Sequence, residues 1–149
     1  MAIGEICKRE VVSVTRETTI NEATLLMRKH HVGDVIVIKE EGGKRKPIGI
    51  VTDRDVVVEV VATGLDPAVL TVEDIMVGHL AIVQESTGVH EAIRKMRDKG
   101  VRRMPIVAED GSLAGILTLD DLLQLLALEM SALANLMACE QNKEIKTRS

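Results

Sequence analysis

A long internal repeat constrains the fold of this chain more than any other feature of its sequence. The stretch Gly49–Asp55 (GIVTDRD) returns later as Gly115–Asp121 (GILTLDD), and the two copies align without a gap. Further matches upstream, such as Met27 with Met96, keep one constant but slightly larger separation. The change of separation falls in charged, glycine-containing segments such as Lys39–Ile48, which we interpret as turns between strands. Self-similarity over such a distance indicates a duplicated folding unit.

We predict one unit at residues 1–66, a second at 67–130, and a C-terminal extension over 131–149. A unit of about 65 residues would bury only about 60% of its surface alone, so the two copies should share one core. Each copy has the same pattern of short apolar runs and amphipathic stretches, which predicts the order β-α-β-β-α. The predicted fold is therefore α/β (α+β): two such repeats packed as a pseudo-twofold pair, with a C-terminal helical extension.

Local signals place the helices of the first copy. Thr19 and Glu22 form a Thr-x-x-Glu capping box at the start of an amphipathic helix that ends in the cationic run Arg28–His31. Apolar runs too short for helices follow and predict a hairpin. A last helix is predicted from Asp53 to Thr63, ended by Gly64. A short capped turn is predicted at Thr71–Asp74.

The composition of the chain argues against several classes of function. The chain has 149 residues, a formal charge of −4 and no aromatic residue. That charge argues against general affinity for nucleic acid or anionic membranes. We expect no membrane span and no signal peptide, and therefore a cytoplasmic protein. Its two cysteines, Cys7 and Cys139, are expected to be reduced thiols. Without aromatic rings, a planar ligand would be held by aliphatic side chains and methionines.

The repeated motif places a threonine and an aspartate where a strand gives way to a helix. We predict that Thr52 with Asp55, and Thr118 with Asp121, face a cleft in which the carboxylate accepts hydrogen bonds from two ribose hydroxyls. The unpaired N–H groups at the same helix start suit a phosphate. The alternative is that the threonines are only N-caps and the aspartates only first-turn charges.

These motifs resemble the cystathionine β-synthase (CBS) domain pair, or Bateman module. Besides the repeat, the family pattern includes the opening segment Asp74–Met76 and the strand Val101–Val107. The resemblance covers about residues 5 to 128. It implies that Thr52, Asp55, Thr118 and Asp121 bind the ribose and phosphate of adenosine nucleotides. It also implies adenine contacts from the opening and central strands, at Ser13, Val14, Val35, Ile82, Met104 and Pro105.

Three arginines are the predicted phosphate contacts: Arg54, Arg102 and Arg103. The two copies differ here, because Gly33 and Asp34 stand where the second copy has the adjacent arginines. A carboxylate at Asp34 or Asp120 would repel a phosphate unless a cation bridges it. We therefore expect two unequal sites. Solvated surface arginines are the alternative.

Other chemistry has little support in the sequence. No two histidines have the i, i+4 spacing of a helical metal site, and no nucleophile or phosphate-loop motif occurs. We therefore predict no enzymatic activity and no metal site. The basic stretch Lys44–Lys46 is interpreted as a solvated loop tip, with a contact to nucleic acid or a partner as the alternative.

The C-terminal part predicts a role in assembly. From Leu119 the chain is rich in leucine and lacks proline and glycine, which predicts a helix to about Cys139. We expect this helix to pack across a homodimer, with folding back over its own core as the alternative. The polar end, Glu140–Ser149, is expected to fray.

The predicted function is a stand-alone ligand sensor. It would bind AMP, ADP, ATP or a related adenosyl ligand between the copies, require no cofactor, and take Mg²⁺ only with a nucleotide. With no effector domain attached, it would signal to a separate effector protein through helix packing or dimer geometry. Two alternatives stay open: a ligand-free interaction or scaffold module, and a nucleic-acid-binding CBS protein.

Overall fold

The computed structural model describes residues 1–77 and 79–148, so the predicted tail residue Ser149 lies outside them. The chain divides into two compact units, Met1–Leu117 and Thr118–Ser149. The first unit contains the strands of both predicted repeats, except for Thr118, the last residue of the final strand. The predicted mixed α+β class with two repeats is confirmed.

The first repeat forms a three-stranded sheet in the order β1-β2-β3. Strand β1 is parallel to β2, and β2 is antiparallel to β3. Valines and isoleucines of β2 are buried on both faces, as the short apolar run predicts. The elements are β1 Ser13–Val14, α1 Ile20–His30, β2 Asp34–Glu41, β3 Lys44–Thr52 and α2 Asp53–Val56.

The second repeat has the same order and forms a sheet β4-β5-β6, with β4 parallel to β5. A short helix, α3, precedes it. The elements are α3 Val72–Ile75, β4 Val83–Gln84, α4 Val89–Lys99, β5 Arg103–Val107 and β6 Leu113–Thr118. The chain ends in α5, Leu119–Arg148.

The structure confirms the predicted capping box at the start of α1. The Glu22 backbone N–H donates to Thr19 Oγ1 over 3.1 Å, and the Thr19 N–H donates to the Glu22 carboxylate over 3.3 Å. Helix α1 is followed by His31, which adopts φ 54°, and α4 is followed by Gly100 with φ 66°. A left-handed residue after the last turn is a common helix stop.

Two sequence interpretations in the first repeat were wrong in detail. Lys44–Lys46 lies within β3, because Gly42 and Gly43 alone make the hairpin turn, both with positive φ. The helix predicted from Asp53 to Thr63 is α-helical only to Val56 and continues as a π-helix over Val57–Val61. Valine side chains branch at Cβ and crowd a regular helical turn.

The opening segment of each repeat, before its first strand, is hydrogen-bonded to the other repeat. Thr71 bridges Thr19 in the first repeat, and Ala2 bridges Gly88 in the second. These two bridges are equivalent in the upstream alignment of the copies, which pairs Thr19 with Gly88 and Ala2 with Thr71. The exchange makes the pseudo-twofold relation of the two repeats explicit.

Equivalent backbone hydrogen bonds support this exchange. The Val72 N–H donates to the Thr18 carbonyl over 2.9 Å, and the Ile3 N–H donates to the Thr87 carbonyl over 2.8 Å. Lys8 pairs in both directions with Ile116 of β6. Each repeat is therefore completed by backbone from the sequence that leads into the other.

The buried side chains follow the same arrangement. The core of the first repeat includes Val72 of α3 beside residues of α1, β2 and β3. A second buried cluster joins Ile36 and Ile38 of β2 to Ile116 of β6. The expectation of a core shared between the copies is thus met by packing that joins their two sheets.

Helix α5 is longer than the sequence predicted. It extends through the polar residues after Cys139 to Arg148, so the expected frayed end is helical. By length and composition alone, α5 could cross a membrane, with a mean hydropathy of 1.6 over its most apolar window. We expected no membrane span from the sequence, and α5 departs from that expectation in length and composition only. This criterion is weak evidence for a membrane, since long helices of soluble proteins also meet it.

The glycine of each repeated motif lies under the exchanged segment, and its replacement tests that contact. A Cβ on Gly115 would lie 2.6 Å from the Lys8 carbonyl oxygen and 2.9 Å from Cys7 Sγ. On Gly49 it would lie 2.6 Å from Met76 Sδ. We expect Gly115→Ala to lower the free energy of unfolding by about 1–3 kcal/mol.

Urea unfolding would measure this, with Gly49→Ala as the matched control. The cost at Gly49 should be smaller, because a methionine side chain can rotate away whereas backbone cannot. Equal or reversed costs would show that the N-terminal segment does not press on β6.

Candidate functional site

The threonine and aspartate of the first motif lie at the junction of β3 and α2. The Asp55 backbone N–H donates to Thr52 Oγ1 over 3.1 Å, and the Thr52 N–H donates to Asp55 Oδ2 over 2.9 Å. Both side chains are half-buried. The capping alternative is thus real, but it uses one carboxylate oxygen. The other oxygen of a carboxylate can still accept a hydrogen bond from a ligand hydroxyl.

The second motif repeats this cap at the start of α5. The Asp121 backbone N–H donates to Thr118 Oγ1 over 3.1 Å, the same length as in the first motif. Both residues are half-buried, and their neighbour Asp120 is exposed. In both motifs the threonine hydroxyl therefore accepts from the backbone N–H of the aspartate three residues later, as the same short spacing allows.

The predicted phosphate contact Arg103 forms an ion pair with Asp34. Its Nε lies 3.0 Å from Asp34 Oδ2, and only 15% of the Asp34 side chain is exposed. Asp34 begins β2, and Arg103, its counterpart in the alignment of the copies, begins β5. Equivalent positions of the two repeats thus contact each other. From the sequence, Asp34 predicted a site that repels a phosphate and Arg103 one that attracts it. In the structure, these two side chains neutralise each other in one ion pair.

Because Gly33 has no side chain, the Asp53 carboxylate can lie near the ion pair of Arg103 and Asp34. A Cβ on Gly33 would lie 3.1 Å from Arg103 Nη2 and 3.1 Å from Asp53 Oδ2. The Asp53 N–H donates to the Gly33 carbonyl over 2.9 Å, which fixes the start of α2 against the start of β2. Sequence reasoning missed this role of Gly33 and Asp53.

Burial dominates the electrostatics of Asp34. Loss of hydration raises the pKa of its carboxyl above the ordinary 3.8, and the nearby Asp53 carboxylate raises it further. The Arg103 guanidinium and Lys8 act in the opposite direction. The net pKa is raised, so the ion pair does not fully offset the cost of burying this carboxylate.

The other two predicted arginines are exposed. Arg54 lies in the first turn of α2, where its backbone N–H donates to Asp53 Oδ1 over 2.8 Å. Arg102 lies directly before β5. Their guanidinium groups face solvent and can reach a phosphate without first breaking an ion pair.

The predicted adenine contacts of the first copy lie beside an open groove. Ser13 and Val14 line it together with the turn after β1 and one face of α1; its volume is about 520 Å³. Its remaining lining residues are Thr15, Thr18, Glu22, Leu25, Leu26 and Lys29. Val35, on the neighbouring β2, is fully buried in the core of the first repeat, and its adenine contact stays a prediction. Arg45 of β3 donates a hydrogen bond to the Ser13 hydroxyl.

The second copy differs at the equivalent place. Ile82 corresponds to Ser13, and its backbone carbonyl accepts a hydrogen bond from Lys95 Nζ. Met104 and Pro105 of β5 are buried. Lys95 corresponds to Leu26, which lines the groove of the first copy. Alignment of the two copies could have identified Lys95, because it pairs this lysine with a leucine.

Metal ligation finds no support among residues 1–77 and 79–148. No group of three or more histidine, cysteine, aspartate or glutamate side chains there could hold a metal ion. The sequence expectation of no metal site stays a prediction.

Comparison with known proteins places the chain in a family. The model of the CBS domain matches residues 3–62 and 72–128. An uncharacterised protein of Methanopyrus kandleri is 40% identical over 124 residues, which cover 83% of this chain. The match covers 62% of that relative's length. The CBS domain-containing protein YhcV of Bacillus subtilis is 34% identical over 81% of this chain and 82% of its own.

A solved structure has the same fold and contains a ligand. The CBS domain protein PAE2072 of Pyrobaculum aerophilum, complexed with AMP, superposes with a TM-score of 0.75. It is 28% identical, and the match covers 89% of this chain and 99% of that one.

The raised pKa of Asp34 predicts a pH dependence of stability. Between about pH 3.8 and the folded-state pKa, the folded chain binds more protons than the unfolded chain, so stability falls as pH rises. Above both pKa values the dependence vanishes. We expect the stability of wild type relative to Asp34→Asn to decrease from pH 4 upward and then level off.

Urea unfolding of both proteins from pH 3.5 to 7 would measure this difference. Subtracting the variant removes the titration of all other carboxylates. A difference that increases with pH would mean that the attraction of Arg103 outweighs burial, and that the Asp34 pKa is lowered.

Proposed function

Since the chain belongs to the CBS domain family, as a tandem pair of CBS domains, we propose that it senses an adenine nucleotide or related adenosyl ligand. The junction of β3 and α2 supports this most directly. There Asp55 lies in the first turn of a helix, half-buried, with one carboxylate oxygen in the cap and a second that can bind a ribose hydroxyl. The AMP complex of the Pyrobaculum relative supports the ligand class.

Other groups of the first repeat suit the rest of a nucleotide. The groove beside Ser13 and Val14 holds a few aliphatic side chains among polar ones, and these would cover a purine ring by apolar contact. Arg54, one residue before Asp55, would neutralise a phosphate at the start of α2. Asp34 is already neutralised by Arg103, so it would not require a bridging Mg²⁺.

The alternative of nucleic-acid binding is weaker. The basic residues Lys44–Lys46 pair across the hairpin with Lys39, Glu40 and Glu41, so acidic side chains interrupt the positive surface. Lys44 Nζ also lies 3.7 Å from Asp110 Oδ2. A non-enzymatic, cytoplasmic regulator that signals to a separate effector protein remains our proposal.

Replacement of Asp55 tests the ribose contact. A hydrogen bond to a charged group contributes about 1.5–3 kcal/mol, so Asp55→Ala should weaken AMP binding by roughly 10- to 100-fold. Asp55→Asn is the matched control, because it keeps the volume and one acceptor oxygen but loses the charge. Isothermal titration calorimetry would give the affinities, on protein freed of bound nucleotide by refolding.

A panel of AMP, ADP, ATP, S-adenosylmethionine and NAD, with and without Mg²⁺, would identify the ligand by thermal shift. A ligand at about 100 times its Kd adds about 2.7 kcal/mol of stability. If none of these compounds raises the melting temperature, the sensor proposal fails and a ligand-free scaffold is the better description.

We further propose that the two copies bind unequally because of Lys95. In the first copy the equivalent Leu26 lines an open groove. In the second, the Lys95 ammonium lies against the Ile82 carbonyl, where the adenine contact is predicted. An ammonium at that place would have to leave its carbonyl before a purine could enter. The first copy should therefore take the nucleotide at lower concentration.

An exchange of these two side chains tests the asymmetry. Wild type should bind one AMP per chain, Lys95→Leu should gain a second, and Leu26→Lys should lose the first. Calorimetric stoichiometry measures all three. Two equal sites in wild type would contradict the role of Lys95 alone, whereas the proposed function itself fails only if no compound of the panel binds.

A further inference from the structure

Asp34 lies directly across the sheet from the threonine of the first motif. Asp34 begins β2, Thr52 ends β3, and the two residues are partners in the antiparallel register. Side chains of such partners point to the same face of a sheet, with their Cβ atoms about 4.5–5.5 Å apart. The residue before Asp34, Gly33, accepts a hydrogen bond at its carbonyl from the Asp53 N–H over 2.9 Å. Asp34 therefore lies beside the junction of β3 and α2, where the ribose and phosphate contacts are proposed.

The Arg103 guanidinium reaches the same junction from β5. Its Nε lies 3.0 Å from Asp34 Oδ2, with 34% of the Arg103 side chain and 15% of the Asp34 side chain exposed. A Cβ on Gly33 would lie 3.1 Å from Arg103 Nη2 and equally far from Asp53 Oδ2, so this guanidinium lies close to the start of α2. Because the carboxylate is largely removed from water, the contact is more costly to break than an ion pair on the surface.

A ligand phosphate and the Asp34 carboxylate would compete for this guanidinium. Arginine binds phosphates and carboxylates through the same N–H donors. Transfer of Arg103 to a phosphate would leave the largely buried Asp34 carboxylate without its counter-charge, which is strongly unfavourable. A ligand that carries no phosphate would leave the ion pair intact and would not bear this cost.

Arg54 and Arg102 do not impose the same cost. Both side chains are exposed, so a phosphate held by Arg54 would leave the ion pair of Asp34 and Arg103 in place. A contact with one exposed arginine contributes little to affinity, because water and salt screen the charge. The phosphate of AMP would then add only modestly to the binding of its adenosine part.

We propose that Asp34 determines how strongly the ligand site of the first repeat prefers a phosphate. By holding Arg103, Asp34 keeps the affinity for AMP close to the affinity for adenosine, and this opens the site to adenosyl ligands that carry no phosphate. The inference rests on the proposed function, since it concerns the 5′ group of the same adenosyl ligand.

Calorimetric titration of wild type and Asp34→Asn with AMP and with adenosine tests this role. Asparagine keeps the volume of the side chain but lacks the charge that holds Arg103. The measured quantity is the preference for AMP, which is the Kd for adenosine divided by the Kd for AMP. We expect a preference of at most about fivefold in wild type. In Asp34→Asn it should be about 10-fold larger, because the released guanidinium can bind the phosphate. An unchanged preference would overturn the proposal.

Two further variants separate release of Arg103 from a general loss of negative charge. Asp53→Asn is the matched control, because it removes the same charge from an exposed carboxylate near the same guanidinium. We expect it to change the preference by less than about threefold, since solvent screens an exposed charge. The double variant Asp34→Asn, Arg103→Gln should lose the gain of Asp34→Asn. An equal gain in Asp53→Asn, or a gain that survives in the double variant, would overturn the proposal.

The remaining outcomes distinguish this inference from the proposed function. A wild type that prefers AMP by 100-fold or more would overturn the inference alone, because Arg103 would then already serve the phosphate. A gain that appears as a second AMP bound per chain would overturn the assignment to the first repeat. A wild type that binds neither AMP nor adenosine would also overturn the inference, whereas the proposed function fails only if no compound of the nucleotide panel binds.

Discussion

The exchange of opening segments between the two repeats is the interaction on which the rest of the first unit depends. Each repeat alone lacks a backbone partner for the turn before its first long helix, because the Ile3 N–H donates to the Thr87 carbonyl and the Val72 N–H donates to the Thr18 carbonyl. Half-buried backbone groups without a partner are costly, so neither half is a satisfied unit by itself. This explains why the core of the first repeat contains Val72, a residue that the sequence places after the first repeat.

The same exchange explains the glycines of the repeated motif. Gly49 and Gly115 lie where the partner repeat's opening segment crosses, and a Cβ at either position would meet that segment within 3 Å. Met76 covers Gly49 and Cys7 covers Gly115, and these two covering residues are counterparts in the alignment of the copies. The glycine is thus required by packing between copies, whereas the threonine and aspartate of the motif are set by the local helix cap.

Sequence patterns predicted the features that depend on residues a few positions apart. They did not predict the contacts between residues that are distant in the chain. The cap at Thr19 and the element order of each copy follow from neighbours within a few positions. The ion pair of Asp34 with Arg103 does not, because it joins equivalent positions through the pseudo-twofold relation. The strand at Lys44–Lys46 was missed for a related reason: charged residues suit a solvated turn, yet they also suit an exposed hairpin when acidic residues lie opposite.

The ion pair also changes the meaning of the difference between the copies. Considered separately, Asp34 would repel a phosphate and Arg103 would attract one. Considered together, they form a nearly neutral, partly buried contact whose carboxylate is still disfavoured by burial. A difference in ligand binding between the two copies would then come from a charged group that its counterpart in the other copy does not neutralise. Lys95 meets that condition, because its counterpart is the uncharged Leu26 and its ammonium is held by a backbone carbonyl at the predicted adenine position.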